Sequence, residues 1–181
     1  EKPFEISGEV GSSIQVKARA FRDDYEDSPV AEAAVTRVWG IGDTLGVPDL
    51  MFTTDGWVVD SQETCDGRET MRSGPTGDGE SNALETVVHG GGTISFTWRT
   101  SCEDSSGDFI WDRAEFWVDE ECVAKVEGES EWTHVSYAIQ HSDADHRLRW
   151  LYVKDPDMGT AEGDDCAWLA ALTWESETTK V

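Results

Sequence analysis

Four short runs in the second half of the chain alternate large apolar with polar residues. They are GTISFTWRT at 92–100, WDRAEFWVD at 111–119, EWTHVSYAI at 131–139 and HRLRWLYVK at 146–154. A side-chain period of two belongs to a strand with one face in a core and the other in water. Further strands are predicted at 57–60, 83–88, 123–127 and 166–174, with Gly, Asp and Ser turns between them. A spacing of roughly ten residues between such turns predicts an all-β chain folded as an antiparallel β-sandwich, or jelly roll. Helix signals are scarce. Only PVAEAAVT at 29–36 is rich in Ala and Glu, and it is too short to be stable alone.

The pattern divides the chain. In SIQVKARAF at 13–21, Ile14, Val16, Ala18 and Ala20 alternate with polar neighbours. An acidic turn, RDDYEDSP at 22–29, and a short strand, AVTRVW at 34–39, complete a small N-terminal β appendage over 1–39. An isolated appendage would leave strand edges unpaired, so it is expected to pack on the sandwich, pair between chains or be ragged. GIGDTLGVPDL at 40–50 holds three Gly and one Pro, and predicts a linker. The sandwich is expected over 51–175, with a tail at 176–181. No run approaches the roughly 20 apolar residues of a membrane span. No charged and apolar leader is visible at the start, as expected of a piece cut from a longer exported protein.

Charge narrows the partners. The 181 residues carry 38 Asp and Glu against 14 Lys and Arg, a formal net charge of −24. Nucleic acid is excluded, because binding it needs a basic footprint. Anionic membranes and polyanionic glycans are disfavoured for the same reason. The four cysteines, Cys65, Cys102, Cys122 and Cys166, form no CxxC and have no His at zinc spacing. An even number without a metal pattern predicts two disulfides and an oxidising compartment, with three pairings open.

Motifs for catalysis are weak. HGGG at 89–92 lacks the G-x-S-x-G elbow that an oxyanion loop would serve, and it falls between two strand patterns as a hairpin. No Ser has a recognisable activating context for His89, His134, His141 or His146, which are assigned to the surface. Carboxylate pairs arise by chance in so acidic a chain. The expectation is a non-catalytic module without an organic cofactor.

The nine Trp carry more information. Side chains two apart share a strand face. Ala114, Phe116 and Val118 form an inward row, which turns Arg113, Glu115 and Trp117 outward. Ile94, Phe96 and Trp98 point inward, with Arg99 outward. Leu148, Trp150 and Tyr152 point inward, with Arg149 outward. Trp111 opens its strand after a polar loop. Exposed indoles beside Arg and Glu suit sugars: the ring stacks on the C–H face of a pyranose and the polar groups bond its hydroxyls.

Taken in order, DG at 66–67, RSGPTGDGES at 72–81, LETVVHGGGTISFTWRTSCE at 84–103, WDRAEFWVD, VEGESEWTHVSY at 126–137, LRWLYVKD at 148–155 and DDCAWLAALTW at 164–174 resemble a bacterial extracellular jelly-roll module. That module is a distant relative of the MAM and cleaved-adhesin domains in the concanavalin-like sandwich group. The resemblance covers about 50–175. Residues 1–39 resemble the end of the small Ig-like domain at the C-terminus of chitobiase-type hexosaminidases. Such jelly-roll modules accompany secreted glycosidases, proteases and adhesins, where they bind glycans or other surface ligands, or act as spacers. The resemblance places Trp98, Trp150, Trp168 and Trp174 in the core. The chain departs from the family at Ala170 and Ala171, where the family carries Asp-Asn. Cys65 and Cys122 stand at positions that are usually not Cys in the family, which implies that they pair and leaves Cys102 with Cys166. A 102–166 bridge would set those Cα atoms about 5–6 Å apart. Glu103, Asp104 and Asp108 would then crowd Asp164 and Asp165, and Ca2+ could neutralise them.

The sequence therefore predicts a secreted or cell-surface carbohydrate-binding module attached to other domains of its parent protein. Trp117 and Trp111 would stack on a neutral polysaccharide, and Arg99, Arg113, Glu115 and Arg149 would supply polar contacts. The rival expectations are a calcium-dependent adhesion module that docks on protein, and a passive spacer.

Overall fold

The computed structural model describes residues 13–36, 39–104, 111–140, 142–156 and 162–177. Asp108, His141 and the end of the tail at 178–181 fall outside these. The chain forms two compact units that divide between Gly40 and Ile41.

In the first unit β1 (Ser13–Ala18) pairs antiparallel with β2 (Ala31–Thr36). The register sets Ile14 opposite Val35 and Val16 opposite Ala33, so the apolar residues share one face of the ribbon. Lys17 and Glu32 bond across it at 2.7 Å. The one stretch with helical composition, 29–36, thus supplies a strand. A segment this short gains too few helical hydrogen bonds to repay nucleation, whereas β1 satisfies its backbone directly.

The second unit holds α1 (Ile41–Leu45), β3 (Phe52–Asp55), β4 (Val58–Cys65), β5 (Arg68–Arg72), β6 (Ser81–His89), β7 (Gly92–Ser101), β8 (Arg113–Val118), β9 (Glu121–Glu127), β10 (Thr133–Ile139), β11 (Asp145–Val153) and β12 (Cys166–Ser176). They build two five-stranded sheets, ordered β10-β7-β12-β5-β4 and β3-β6-β11-β8-β9. Every named strand pair is antiparallel. From β9 to β12 the chain crosses between the sheets at every connection, the habit of a jelly roll. The result is the expected open β-sandwich. The sequence pattern missed β3 and β5, and saw only the first half of β4. β3 and β5 are short, the second half of β4 is polar, and β3 and β4 are sheet edges.

The inward rows are those the alternation predicts. Ile94, Phe96 and Trp98 of β7 meet Ala114, Phe116 and Val118 of β8 and Leu148, Trp150 and Tyr152 of β11 in one core. Phe96 stands edge-on to Phe116 at 4.8 Å and to Trp150 at 5.5 Å, while Phe116 stacks on Trp150 at 5.0 Å. Each such pair adds about 0.5–1.5 kcal/mol beyond the area it buries.

The 40–50 stretch is not a passive linker. It forms α1, and Leu45 is completely buried in the core. Its glycines are what suggested a linker, yet Gly42 serves close packing: a Cβ there would lie 2.6 Å from the Val47 carbonyl oxygen. Leu45→Ala is expected to cost about 2–5 kcal/mol through the cavity it leaves. Urea unfolding followed by Trp fluorescence should show the lowered midpoint, and an unchanged midpoint would restore the linker reading.

Candidate functional site

The inward row of β8 fixes an outward row of Arg113, Glu115 and Trp117. Register sets Arg149 of β11 opposite Trp117, and Lys125 of β9 opposite Glu115. Four of the expected contact residues therefore meet on the outer face of one sheet, joined by Lys125, which the sequence reading missed. The hairpin register that brings Lys125 there includes an irregularity between Phe116 and Trp117, and alternation alone does not foretell it.

Glu115 organises this face. Its side chain is almost fully buried although it points away from the core. Arg113 Nε donates to Oε1 at 2.6 Å, and the Trp117 indole Nε1 donates to Oε2 at 2.7 Å. Lys125 Nζ lies 3.4 Å from Oε1. Burial by itself would raise the carboxyl pKa. The hydrogen bonds from Arg113 and Trp117, with the charges of Arg113 and Lys125, outweigh it and hold the group below its ordinary value. The Arg149 guanidinium lies 5.4 Å from the Trp117 ring centroid and donates to the Asp119 carbonyl at 2.8 Å. The Trp117 indole is thus half-buried, outward-facing and held at its polar edge. Trp111 precedes the strand and is half-buried; Arg113 donates to its carbonyl at 3.2 Å.

Arg99 does not join them. It projects from the outer face of the opposite sheet, 4.9 Å from the Trp168 ring centroid, and pairs with Glu63 at 2.9 Å. Arg72 approaches the same ring at 5.7 Å, and the indole Nε1 donates to Asp60 at 3.0 Å. Trp168 is buried as expected, but beneath two arginines and outside the core cluster. Its neighbours Ala167 and Leu169 take the inward positions. Trp98, Trp150 and Trp57 are core residues, and Trp174 packs against the core.

Neither expected disulfide is present, and all four cysteines are free thiols. Cys166 is in register with Ser101, so Cys102, one residue on, turns to the other side of the sheet. Cys102 lies in the core with its Sγ near the Asp112 carbonyl, whereas Cys166 Sγ accepts from Arg72 Nε at 3.1 Å. Cys65 and Cys122 belong to different sheets, β4 and β9, and β9 lies against β7, three strands from β4. Burial pushes the Cys102 thiol up to about 12 and the Cys166 thiol to about 11.

The acidic corner beyond β7 carries its own counter-charge. Lys154, 8 % exposed, reaches Asp165 at 2.6 Å and Asp112 at 3.5 Å. Tyr152 donates to Asp165 at 2.9 Å. Glu103 is half-buried nearby, and its carboxyl is raised by burial and by the charges of Asp112, Asp155 and Glu162. Asp104 and Asp164 are exposed, and Asp108 is outside the described residues. Among the described residues no three His, Cys, Asp or Glu side chains are grouped to hold a metal.

No family model and no curated protein sequence matches the chain. Solved structures resemble it distantly. The secreted serine protease VesC from Vibrio cholerae is 11 % identical with a TM-score of 0.48, over 82 % of this chain and 30 % of that one. The enzymatically active domain of tailspike protein 4 from bacteriophage CBA120 is 7 % identical with a TM-score of 0.40, over 70 % and 18 %. A family 35 carbohydrate-binding module from an environmental isolate is 13 % identical with a TM-score of 0.38, over 71 % and 93 %. At these scores the likenesses carry no functional argument, so function is argued from the site's own geometry.

Two outcomes follow from that geometry. Thiol titration in denaturant without reductant should count four free thiols, and in the native state half-buried Cys122 should react first. A count of zero would restore both bridges. The depressed Glu115 carboxyl gives stability that is present above its ordinary value of 4.5 and is lost as pH falls through its lower folded value. Glu115→Gln should therefore cost about 1–3 kcal/mol at neutral pH, and the difference from wild type should shrink in acid. A difference independent of pH would show that Glu115 contributes by packing alone.

Proposed function

We propose that this chain is a carbohydrate-binding module of an extracellular protein, and that the outer face of the β3-β6-β11-β8-β9 sheet holds the glycan. One observation carries the reading: Trp117 faces outward with its indole N–H already satisfied by Glu115. A ring fixed in place loses little conformational entropy when a sugar stacks on it. Arg113, Arg149 and Lys125 surround it with donors suited to hydroxyl oxygens. Arg99 drops out of the contact set because it is committed to the opposite sheet.

The preferred ligand is a neutral polysaccharide, since the chain's net charge of −24 repels polyanions at longer range. A single short glycan should bind weakly, on the order of micromolar to millimolar, because it desolvates few atoms. Other domains of the parent protein would supply avidity. The extracellular setting rests on the acidic surface and the module resemblance, and no longer on disulfides.

Affinity electrophoresis through gels containing soluble neutral polysaccharides should retard the protein with at least one polymer. Trp117→Ala should abolish the retardation, and Arg149→Ala should weaken it by about tenfold, the loss of one desolvated contact. Wild-type mobility unchanged on every polymer would remove the proposal.

A further inference from the structure

The β8–β9 turn, the β10–β11 loop and the start of β11 bring together Asp119, Ser142 and His146, which share no sequence motif. Ser142 Oγ lies 2.7 Å from His146 Nε2, and His146 Nδ1 lies 2.8 Å from Asp119 Oδ2. The proton positions follow from the acceptor at the far end. The His146 hydrogen bond holds the Asp119 carboxyl below its ordinary value, so it is ionised and can only accept. In the neutral imidazole Nδ1 then carries the ring proton, and Nε2 is left to accept from the Ser142 hydroxyl. That is the tautomer a serine nucleophile needs.

The relay is held at its far end. Arg147 N donates to Asp119 Oδ1 at 2.9 Å, Asp119 N donates to the Arg147 carbonyl at 2.8 Å, and Arg149 binds the Asp119 carbonyl. Asp119 takes a left-handed backbone at φ 53°, which turns the chain from β8 into β9 and aims the carboxylate at His146. The His146 side chain is 17 % exposed, and that of Asp119 48 %. Both line an open groove of about 510 Å³ between the β8–β9 turn and the end of β10; Ser142 is not in that lining and adjoins it through its hydrogen bond to His146. Its apolar side is Val118, Tyr137 and Ile139; its rim is Glu120 and Glu121.

We propose that Ser142, His146 and Asp119 form a nucleophilic site that hydrolyses short acyl esters. The apolar side suits a small acyl group, and the acidic rim favours the ester of a neutral or cationic alcohol over a carboxylated one. Ser142 Oγ bonds to the ester carbonyl carbon as its proton passes to His146 Nε2. The tetrahedral adduct collapses, the ester C–O bond breaks, and the leaving alkoxide takes that proton. Water then attacks the acyl-serine, with His146 Nε2 as base. The carboxylic acid departs and the Ser142 hydroxyl is restored. Asp119 acts through the imidazole and is a positioning residue.

The test of this activity is separate from that of the glycan face, because it uses a soluble ester and no polysaccharide. The full chain is incubated with p-nitrophenyl acetate, and separately with a fluorophosphonate followed by intact-mass measurement. Wild type should hydrolyse the ester and take up one phosphonyl group on Ser142. Ser142→Ala should lose the label and slow hydrolysis by about 100-fold or more. Asp119→Asn keeps an acceptor for Arg147 N and tolerates the left-handed turn, yet should slow hydrolysis at least tenfold by releasing the tautomer. Hydrolysis that persists in Ser142→Ala would mark a bare imidazole reaction, and an unlabelled wild type would mark a merely structural clip. Either result overturns the proposal.

Discussion

The contact of Phe96 with Phe116 and Trp150 joins the two sheets, and the rest of the sandwich is arranged around it. One ring comes from β7 and two from the facing sheet. Stacked and edge-on aromatic pairs have narrow geometric preferences. Three strands are thereby fixed in depth and in facing. Once Phe116 and Trp150 point inward, Glu115, Trp117 and Arg149 have no alternative but the outer face, because a strand inverts at every residue. The core thus positions the proposed glycan face without touching it.

On that face a buried carboxylate does what apolar packing does inside. Glu115 is removed from water on the outer side of a sheet, which is costly unless every lone pair is satisfied. Arg113, Trp117 and Lys125 supply that satisfaction, and in doing so they fix the indole. The opposite sheet uses the same chemistry to a different end. There two arginines lie over Trp168, Glu63 holds Arg99 and Asp60 accepts from the indole N–H, so the ring is hidden from any ligand. Two outward tryptophans with similar neighbours therefore differ in access.

Alternation placed the inward rows of β7, β8 and β11, because side chains large enough to fill a core leave a plain period of two. It missed β3 and β5, where few apolar residues mark a face, and it took the α1 segment for a linker because its glycines look like flexibility. There Gly42 permits a carbonyl to approach closely, and Leu45 enters the core. The four candidate residues on β8 and β11 were legible because they depend only on parity. Arg99 obeyed the same parity but lay on the other sheet, and parity carries no information about which sheet a strand joins. The disulfide expectation failed for a related reason. Counting cysteines is blind to facing, and Cys102 and Cys166 turn to opposite sides of one sheet.

The sequence by itself determined the fold class and the inward rows of β7, β8 and β11, since both follow from local periodicity. Tertiary structure alone decided which outward residues become neighbours: Arg149 beside Trp117, Lys125 beside Glu115, and Ser142 and His146 beside Asp119. Those neighbours come from strand order, hairpin register and loop approach. Such features are set by long-range pairing, and no local pattern encodes them.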